Sequence, residues 1–113
     1  MSRVSRISQS PPAAVENALG RLGRNVRTAR LRRKLSRKVL AERIGISRYV
    51  MADIENGKPT TAIAAYLGAL WALGLLKDVL LLADPDRDEE GKILERARSP
   101  KTAPKRRVID DDF

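Results

Sequence analysis

Apolar residues recur at helical spacing through most of this chain. Between residues 15 and 34 they fall three or four positions apart and arginines occupy the remaining faces, a pattern typical of a helix with one buried side. Residues 62–76 are apolar on every face. This stretch predicts a buried helix pair and not a membrane span, because a helix needs about 20 apolar residues to cross a bilayer.

Residues suited to helix ends divide this apolar region further. Ser36 and Ser47 are good N-caps, and Gly45, Gly57 and Gly74 mark helix ends. The pattern predicts an all-α domain over residues 15–83 with five helices, at about 15–34, 36–45, 47–57, 59–73 and 75–83. A tight glycine turn joins the second helix to the third.

The two ends of the chain lack this pattern. Residues 1–14 include a double proline, which predicts a disordered or extended, flexible N-terminal arm. Residues 84–113 are strongly charged, so we expect a largely disordered C-terminal tail with a short helix over 88–98.

Composition narrows the chemistry that is available. The chain has no Cys and no His, which removes disulfides, zinc sites built on those residues and catalysis that needs an imidazole base. We therefore expect no enzyme activity and no cofactor. The first fifteen residues lack the continuous apolar stretch of a secretory signal, so we expect a cytoplasmic, nucleoid-associated protein without a membrane partner.

The charge is concentrated in one half of the chain. The formal net charge is +9, and residues 1–58 carry 14 lysines and arginines against 4 acidic residues. Such an excess predicts a polyanionic partner, with nucleic acid first. The alternative for any single arginine of the run 27–34 is a solvated helix face.

Residues 36–57 have the pattern of two short amphipathic helices around a turn, which suits a reader of the DNA major groove. Residues near the start of the second helix would reach base edges. Arg48 can make two hydrogen bonds to guanine, and Tyr49 can contact a thymine methyl or a phosphate, unless its ring packs beside the second helix instead. One turn further on, Ala52 could touch a methyl group and Asp53 could accept from a cytosine amine.

This region resembles the Cro and lambda-repressor type of helix-turn-helix, also called the XRE family, over about residues 19–82. The residues that carry the resemblance are Arg27, Arg30, Leu40-Ala41, Gly45-Ile46-Ser47, Ile54-Glu55-Asn56-Gly57-Lys58 and Ala72-Leu73-Gly74. The resemblance implies a five-helix lambda-repressor-like domain.

The resemblance also implies roles for particular residues. Arg30 would pair with Glu55 and lock the first helix onto the recognition helix, and Asn56 and Lys58 would hold phosphates. Arg37 stands where many members carry glutamine, and we expect it to contact a phosphate directly. Lys38 and Ser47 complete the expected set of phosphate ligands.

Residues 66–75, together with the short charged tail, are similar to HipB-type antitoxins. This likeness implies a homodimer that binds a palindromic operator of double-stranded DNA in its own promoter and holds a HipA-like kinase toxin inactive. The alternative is a stand-alone or phage-type repressor with no toxin. Apolar residues on all faces of the last two helices fit either a dimer seam through the fifth helix, at about 75–83, or a core role alone.

The end of the tail is a candidate for binding a protein partner. It combines basic residues with an acidic, apolar tip. The tip could dock its acids on a positively charged surface of the partner and its ring in a pocket of the partner, or the tail could serve only for solubility. The candidate residues are Arg106, Arg107, Asp110, Asp111, Asp112 and Phe113.

Acidic residues at 84–95 imitate an EF-hand calcium loop. Asp84, Asp86, Asp88 and Glu95 match four of its ligand positions, but the position that needs glycine is Glu89. We therefore expect helix capping and no metal site. A magnesium-dependent nuclease would require the acids of residues 84–90 to converge, and the sequence offers no scaffold for that.

Overall fold

The computed structural model describes residues 5–98, which form helices and turns without a strand. The α-helices are α1 (Arg6–Gln9), α2 (Ala13–Arg32), α3 (Arg37–Ile44), α4 (Arg48–Glu55), α5 (Ile63–Ala72) and α6 (Glu89–Arg98). Two 3₁₀ helices cover Leu76–Leu81 and Pro85–Arg87. The prediction of an all-α fold is confirmed. The described residues divide into two units, 5–79 and 80–98.

The first unit is built around α4. Helices α2, α3 and α5 each pack against it, and the side chains of Val26, Leu40, Met51 and Ile54 are fully buried between them. Burying one such side chain stabilises the fold by about 1.5–3 kcal/mol. These four residues fix the mutual positions of the helices that carry the expected site.

The two short helices begin and end where the sequence predicts. The Oγ of Ser36 accepts a hydrogen bond from the backbone N–H of Val39 at 3.1 Å, and the Oγ of Ser47 accepts one from Val50 at 3.1 Å. Gly45 ends α3 with a φ of 77°, in the left-handed region that glycine enters without steric cost. The turn between α3 and α4 is therefore specified by its own residues.

Other boundaries differ from the prediction. The fourth helix begins at Ile63 and not near residue 59, because residues 58–61 form a turn closed by a hydrogen bond from Thr61 N–H to Lys58 O. The expected fifth α-helix is instead the 3₁₀ helix Leu76–Leu81, and none of its six residues is buried. A short segment whose side chains are at most partly buried has little of the packing that stabilises most protein helices.

The segment before α2 also differs from the prediction. It is not wholly extended, because Ser5 caps the single turn of α1 by accepting from the N–H of Ser8. The long helix begins at Ala13, inside the range expected to be an arm. Pro12 directly precedes it with a φ of −57°, which suits a helix start.

The second unit contains α6, close to the expected helix over 88–98. Asp88 caps it by accepting from the N–H of Gly91 at 2.9 Å, and Asp84 accepts from the N–H of Asp86 at 3.0 Å. Asp84 and Asp88, two of the residues that match EF-hand ligand positions, thus act as helix caps. Residues 99–113, with the candidate tail residues from Arg106 to Phe113, lie outside the described residues.

Candidate nucleic-acid interface

Two glycines let α2 cross the end of α4 at close range. A Cβ on Gly23 would lie 2.5 Å from the carbonyl oxygens of Ile54 and Glu55. A Cβ on Gly57, which has a φ of 69°, would lie 2.6 Å from the carbonyl oxygen of Leu19. Backbone therefore meets backbone at this crossing, and α4 is held by contacts that leave its outer face open.

A buried ion pair joins the same two helices through their side chains. Arg30 Nε donates to Glu55 Oε2 at 2.6 Å, and Arg30 Nη2 donates to Glu55 Oε1 at 3.0 Å. The third guanidinium nitrogen donates to the carbonyl oxygen of Leu35 at 2.9 Å. The structure thus brings together the two residues that the resemblance paired. Their contact is bidentate, and this geometry fixes the orientation of both side chains.

Arg37, at the start of α3, binds the same carboxylate. Its Nε donates to Glu55 Oε1 at 3.0 Å, and its side chain is 46% exposed. Sequence reasoning gave Arg37 only a phosphate role and missed this partner. The available signal was the scarcity of acids in the basic half, which leaves few carboxylates for many arginines.

The two arginines control the charge state of Glu55. Burial by itself raises the pKa of this carboxyl, but the hydrogen bonds and charges of Arg30 and Arg37 more than offset burial and bring the pKa below its ordinary value. Glu55 is therefore ionised at neutral pH. One carboxylate faces two guanidinium groups, so the cluster keeps a net positive charge.

A groove of about 620 Å³ lies beside this cluster, between α2, α3 and the start of α4. We call it the basic groove. Its described lining residues include no acidic side chain: Arg27, Arg30, Ser36, Arg37, Lys38, Arg48, Tyr49 and Ala52. Low-dielectric walls that carry one sign of charge focus the electrostatic potential and attract ions of opposite sign.

Arg48 and Tyr49 lie on the first turn of α4 and line the basic groove. The Arg48 guanidinium lies 5.3 Å from the centroid of the Tyr49 ring, within the range of a cation–π contact. Tyr49 is 70% exposed. The alternative that its ring packs beside the second helix is wrong, and both side chains are accessible to a ligand.

The remaining expected residues separate into two places. Lys38 and Ala52 line the basic groove, whereas Asp53, Asn56 and Lys58 line a second cavity of about 470 Å³. Asp53 thus lines a different cavity from Arg48, Tyr49 and Ala52, and its Oδ2 lies 3.7 Å from Lys58 Nζ. Ser47 is the N-cap of α4.

Tyr66 is a site residue that sequence reasoning did not find. Its buried hydroxyl donates to the carbonyl oxygen of Lys58 at 2.9 Å, and this anchors the loop after α4 to α5. Burial raises the pKa of Tyr66, with a smaller contribution from the charge of Asp53. The hydroxyl therefore remains a donor at neutral pH, and the loop that presents Lys58 is held in place.

Comparison with known proteins agrees with this geometry. A helix-turn-helix domain family matches residues 21–83, more than half of the chain, and the chain belongs to that family. Domains of this class are DNA-binding modules, so the match supports a DNA-binding regulator. No curated protein and no solved structure matches the chain significantly.

Residues 5–98 contain no helix with the length and apolarity required to span a bilayer. In the same range no group of three or more acidic side chains is arranged to hold a metal ion.

Proposed function

We propose that this protein is a sequence-specific transcriptional repressor that inserts α4 into the major groove of its operator. The observation that carries the proposal is the position of Arg48 and Tyr49, which are exposed on the first turn of α4 and border the basic groove. Cations beside an exposed helix start are what a major-groove reader requires, because phosphate contacts position the helix and the helix start reads bases.

Each expected residue has a part in this proposal. Arg48, Tyr49 and Ala52 face base edges, and Asp53 reads or excludes bases one turn further along α4. Arg37, Lys38 and Ser47 bind phosphates on one side of α4. Asn56 and Lys58 are exposed after its other end, so they bind phosphates on the far side.

The test is DNA binding at several salt concentrations. Operator fragments selected from random DNA by the wild-type chain serve as the specific probe, and a random duplex serves as the non-specific probe. We expect log affinity to fall steeply and linearly with log salt. Arg48→Ala should weaken operator binding by about 1–3 kcal/mol and non-specific binding much less. Equal losses on both probes would remove Arg48 from the base readers, and a flat salt dependence would remove DNA as the ligand.

A homodimer on a palindromic operator is part of the proposal. Ile63 and Trp71 are 73% and 62% exposed, and with the half-buried Leu67 they lie four residues apart along α5. An exposed apolar stripe of this kind supports an interface between two copies, because dimers are the commonest closed assembly. Two copies would present two α4 helices to two half-sites.

We further propose that the repressor is the antitoxin of a type II toxin–antitoxin system and neutralises a HipA-like kinase toxin. The support is the resemblance of residues 66–75 and the number of exposed apolar side chains in the second unit, which include Leu80, Leu82, Ile93 and Leu94. Affinity purification from the native cells should recover a kinase-like partner at equal stoichiometry, lost on deletion of residues 106–113. Recovery of promoter DNA without that partner would instead identify a stand-alone or phage-type repressor.

A further inference from the structure

Arg37 connects the buried ion cluster with the basic groove. The side chain of Glu55, to which its Nε donates, is 2% exposed. Arg37 also lines the basic groove, as do Lys38 and Arg27. Its guanidinium therefore reaches from the protein interior to the surface that would face DNA.

The guanidinium has donors left for a ligand. A guanidinium carries its N–H donors in a rigid planar fork, so fixing one edge fixes the direction of the other. Glu55 occupies the donor on Nε, and within residues 5–98 the Nη atoms of Arg37 have no hydrogen-bond partner. These Nη donors match the geometry of a phosphate group.

The net charge of the cluster also favours an anion as the ligand of Arg37. Arg30 contacts both oxygens of Glu55 and is buried, so this pair is neutral and shielded from solvent. The uncompensated positive charge belongs to Arg37, at the more exposed end of the cluster. An anion that enters the basic groove would neutralise this charge.

We propose that Glu55 is a positioning residue for phosphate recognition: it holds the Nε edge of Arg37 and so aims the Nη edge at a DNA backbone phosphate in the basic groove. Glu55 itself does not touch the DNA. The inference rests on the proposed function and deepens it, because the carboxylate that joins α2 to α4 also orients a DNA ligand on α3. The position of α4 and the contact between Arg37 and phosphate then both depend on the side chain of Glu55.

The test measures affinity and salt slope on the random duplex for wild type, Arg37→Ala and Arg37→Lys, with Arg43→Ala as the matched control. Arg43 is an exposed arginine at the opposite end of α3 and does not line the groove. We expect Arg37→Ala to lose roughly tenfold in affinity and about one unit of salt slope. Arg37→Lys should keep the slope but lose affinity, because an ammonium lacks the fork that serves two partners at once.

A double-mutant cycle isolates the part played by Glu55. Glu55→Gln should weaken binding in the wild-type background and have little further effect in the Arg37→Ala background, since the carboxylate acts through that arginine. Affinities are compared at a temperature where melting curves show every variant folded. If Glu55→Gln does not fold, the Arg37→Lys result decides the question alone.

Three results are distinguishable. Loss of affinity in Arg37→Lys with an unchanged salt slope supports the positioning role. Wild-type-like binding by Arg37→Lys overturns it, because a point charge without the oriented fork is then sufficient. A melting shift in Arg37→Ala without a change in salt slope beyond that of Arg43→Ala also overturns it and leaves Arg37 a purely structural residue. Absence of salt-dependent binding by the wild-type chain instead overturns the proposed function.

Discussion

At the scale of single residues, Glu55 has the most consequential environment in the domain. It is buried, yet it accepts hydrogen bonds from Arg30 and Arg37. Removing one partner of a buried pair leaves an uncompensated charge in a medium that solvates it poorly. The stability of the domain and the position of α4 therefore depend on the same carboxylate.

Glu55→Ala should destabilise the protein by about 3–5 kcal/mol, because it leaves the Arg30 guanidinium buried without its counter-charge. The matched control is Asp53→Ala, which removes an acid of the same helix from a looser, partly exposed pair with Lys58. The control should cost less than about 1 kcal/mol. Urea unfolding at neutral pH measures both, and equal losses would contradict the assignment of Glu55 as the main ionic contact.

Glu55 also predicts a pH dependence. Its pKa is lowered in the folded state, so its contribution to stability is fully present above the ordinary pKa that glutamate has in the unfolded chain and is lost as pH falls through the lower folded value. Urea midpoints of wild type should therefore fall more steeply with acidification in this window than those of Glu55→Gln. Parallel curves for the two proteins would show that other carboxylates govern the acid response.

Sequence reasoning reached some of these residues and missed others. The pair of Arg30 and Glu55 was expected from resemblance to a family, and the structure places the two side chains in contact. The second bond from Arg37 was missed because local spacing does not reveal which of many arginines meets a carboxylate eighteen positions away. Asp53 was grouped with Arg48 by helical position alone, and its approach to Lys58 depends on the loop after α4.

At the scale of secondary-structure elements, helix ends that depend on local signals were predicted better than those that depend on tertiary contacts. Serine caps and a left-handed glycine gave α3 and α4 nearly correct ends, because these signals act within one turn of the chain. Pro59, taken as a helix-start signal, gave the wrong start for α5, and apolar content gave the wrong helix type for Leu76–Leu81. Those features depend on the turn at 58–61 and on available packing, which composition does not specify.

The crossing of α2 and α4 gives a prediction at this scale. Gly23→Ala should destabilise the domain by about 1–3 kcal/mol or more, although alanine favours helix, because the new Cβ would overlap two backbone carbonyl oxygens. Gly20→Ala, one turn earlier in α2, meets only the flexible end of Arg24 at 3.3 Å. This control should be neutral or stabilising by up to about 1 kcal/mol. Thermal unfolding compares the two, and equal effects would mean that the crossing can relax.

At the scale of the whole molecule, the basic excess and most of the exposed large apolar residues lie in different parts of the chain. The basic excess belongs to residues 1–58, whereas the exposed stripe of α5 and the exposed leucines of the second unit follow it. A chain of this kind can bind a polyanion with one part and a protein with another. Self-association and DNA binding should therefore respond to different substitutions.

Trp71→Gln tests this separation. Because Trp71 is largely exposed in the single chain, the substitution should change monomer stability by less than about 0.5 kcal/mol. It should nevertheless shift sedimentation equilibrium toward monomer and weaken binding to a two-half-site operator more than to one half-site. Ile93→Gln, at an exposed apolar position of the second unit, is the control. A wild-type chain that sediments as a monomer at all concentrations would refute the dimer.

The glycine crossing also bears on how operator preference can change during evolution. The orientation of α4 is set on its inner side. There the backbones approach closely at Gly23 and Gly57, and the buried Glu55 carboxylate pairs with Arg30. Arg48, Tyr49 and Ala52 face outward or are only partly covered, so their replacement disturbs little of what holds the helix. Under the proposed function, exchanging these few outward residues would change the target DNA while the docking angle of the helix stays the same.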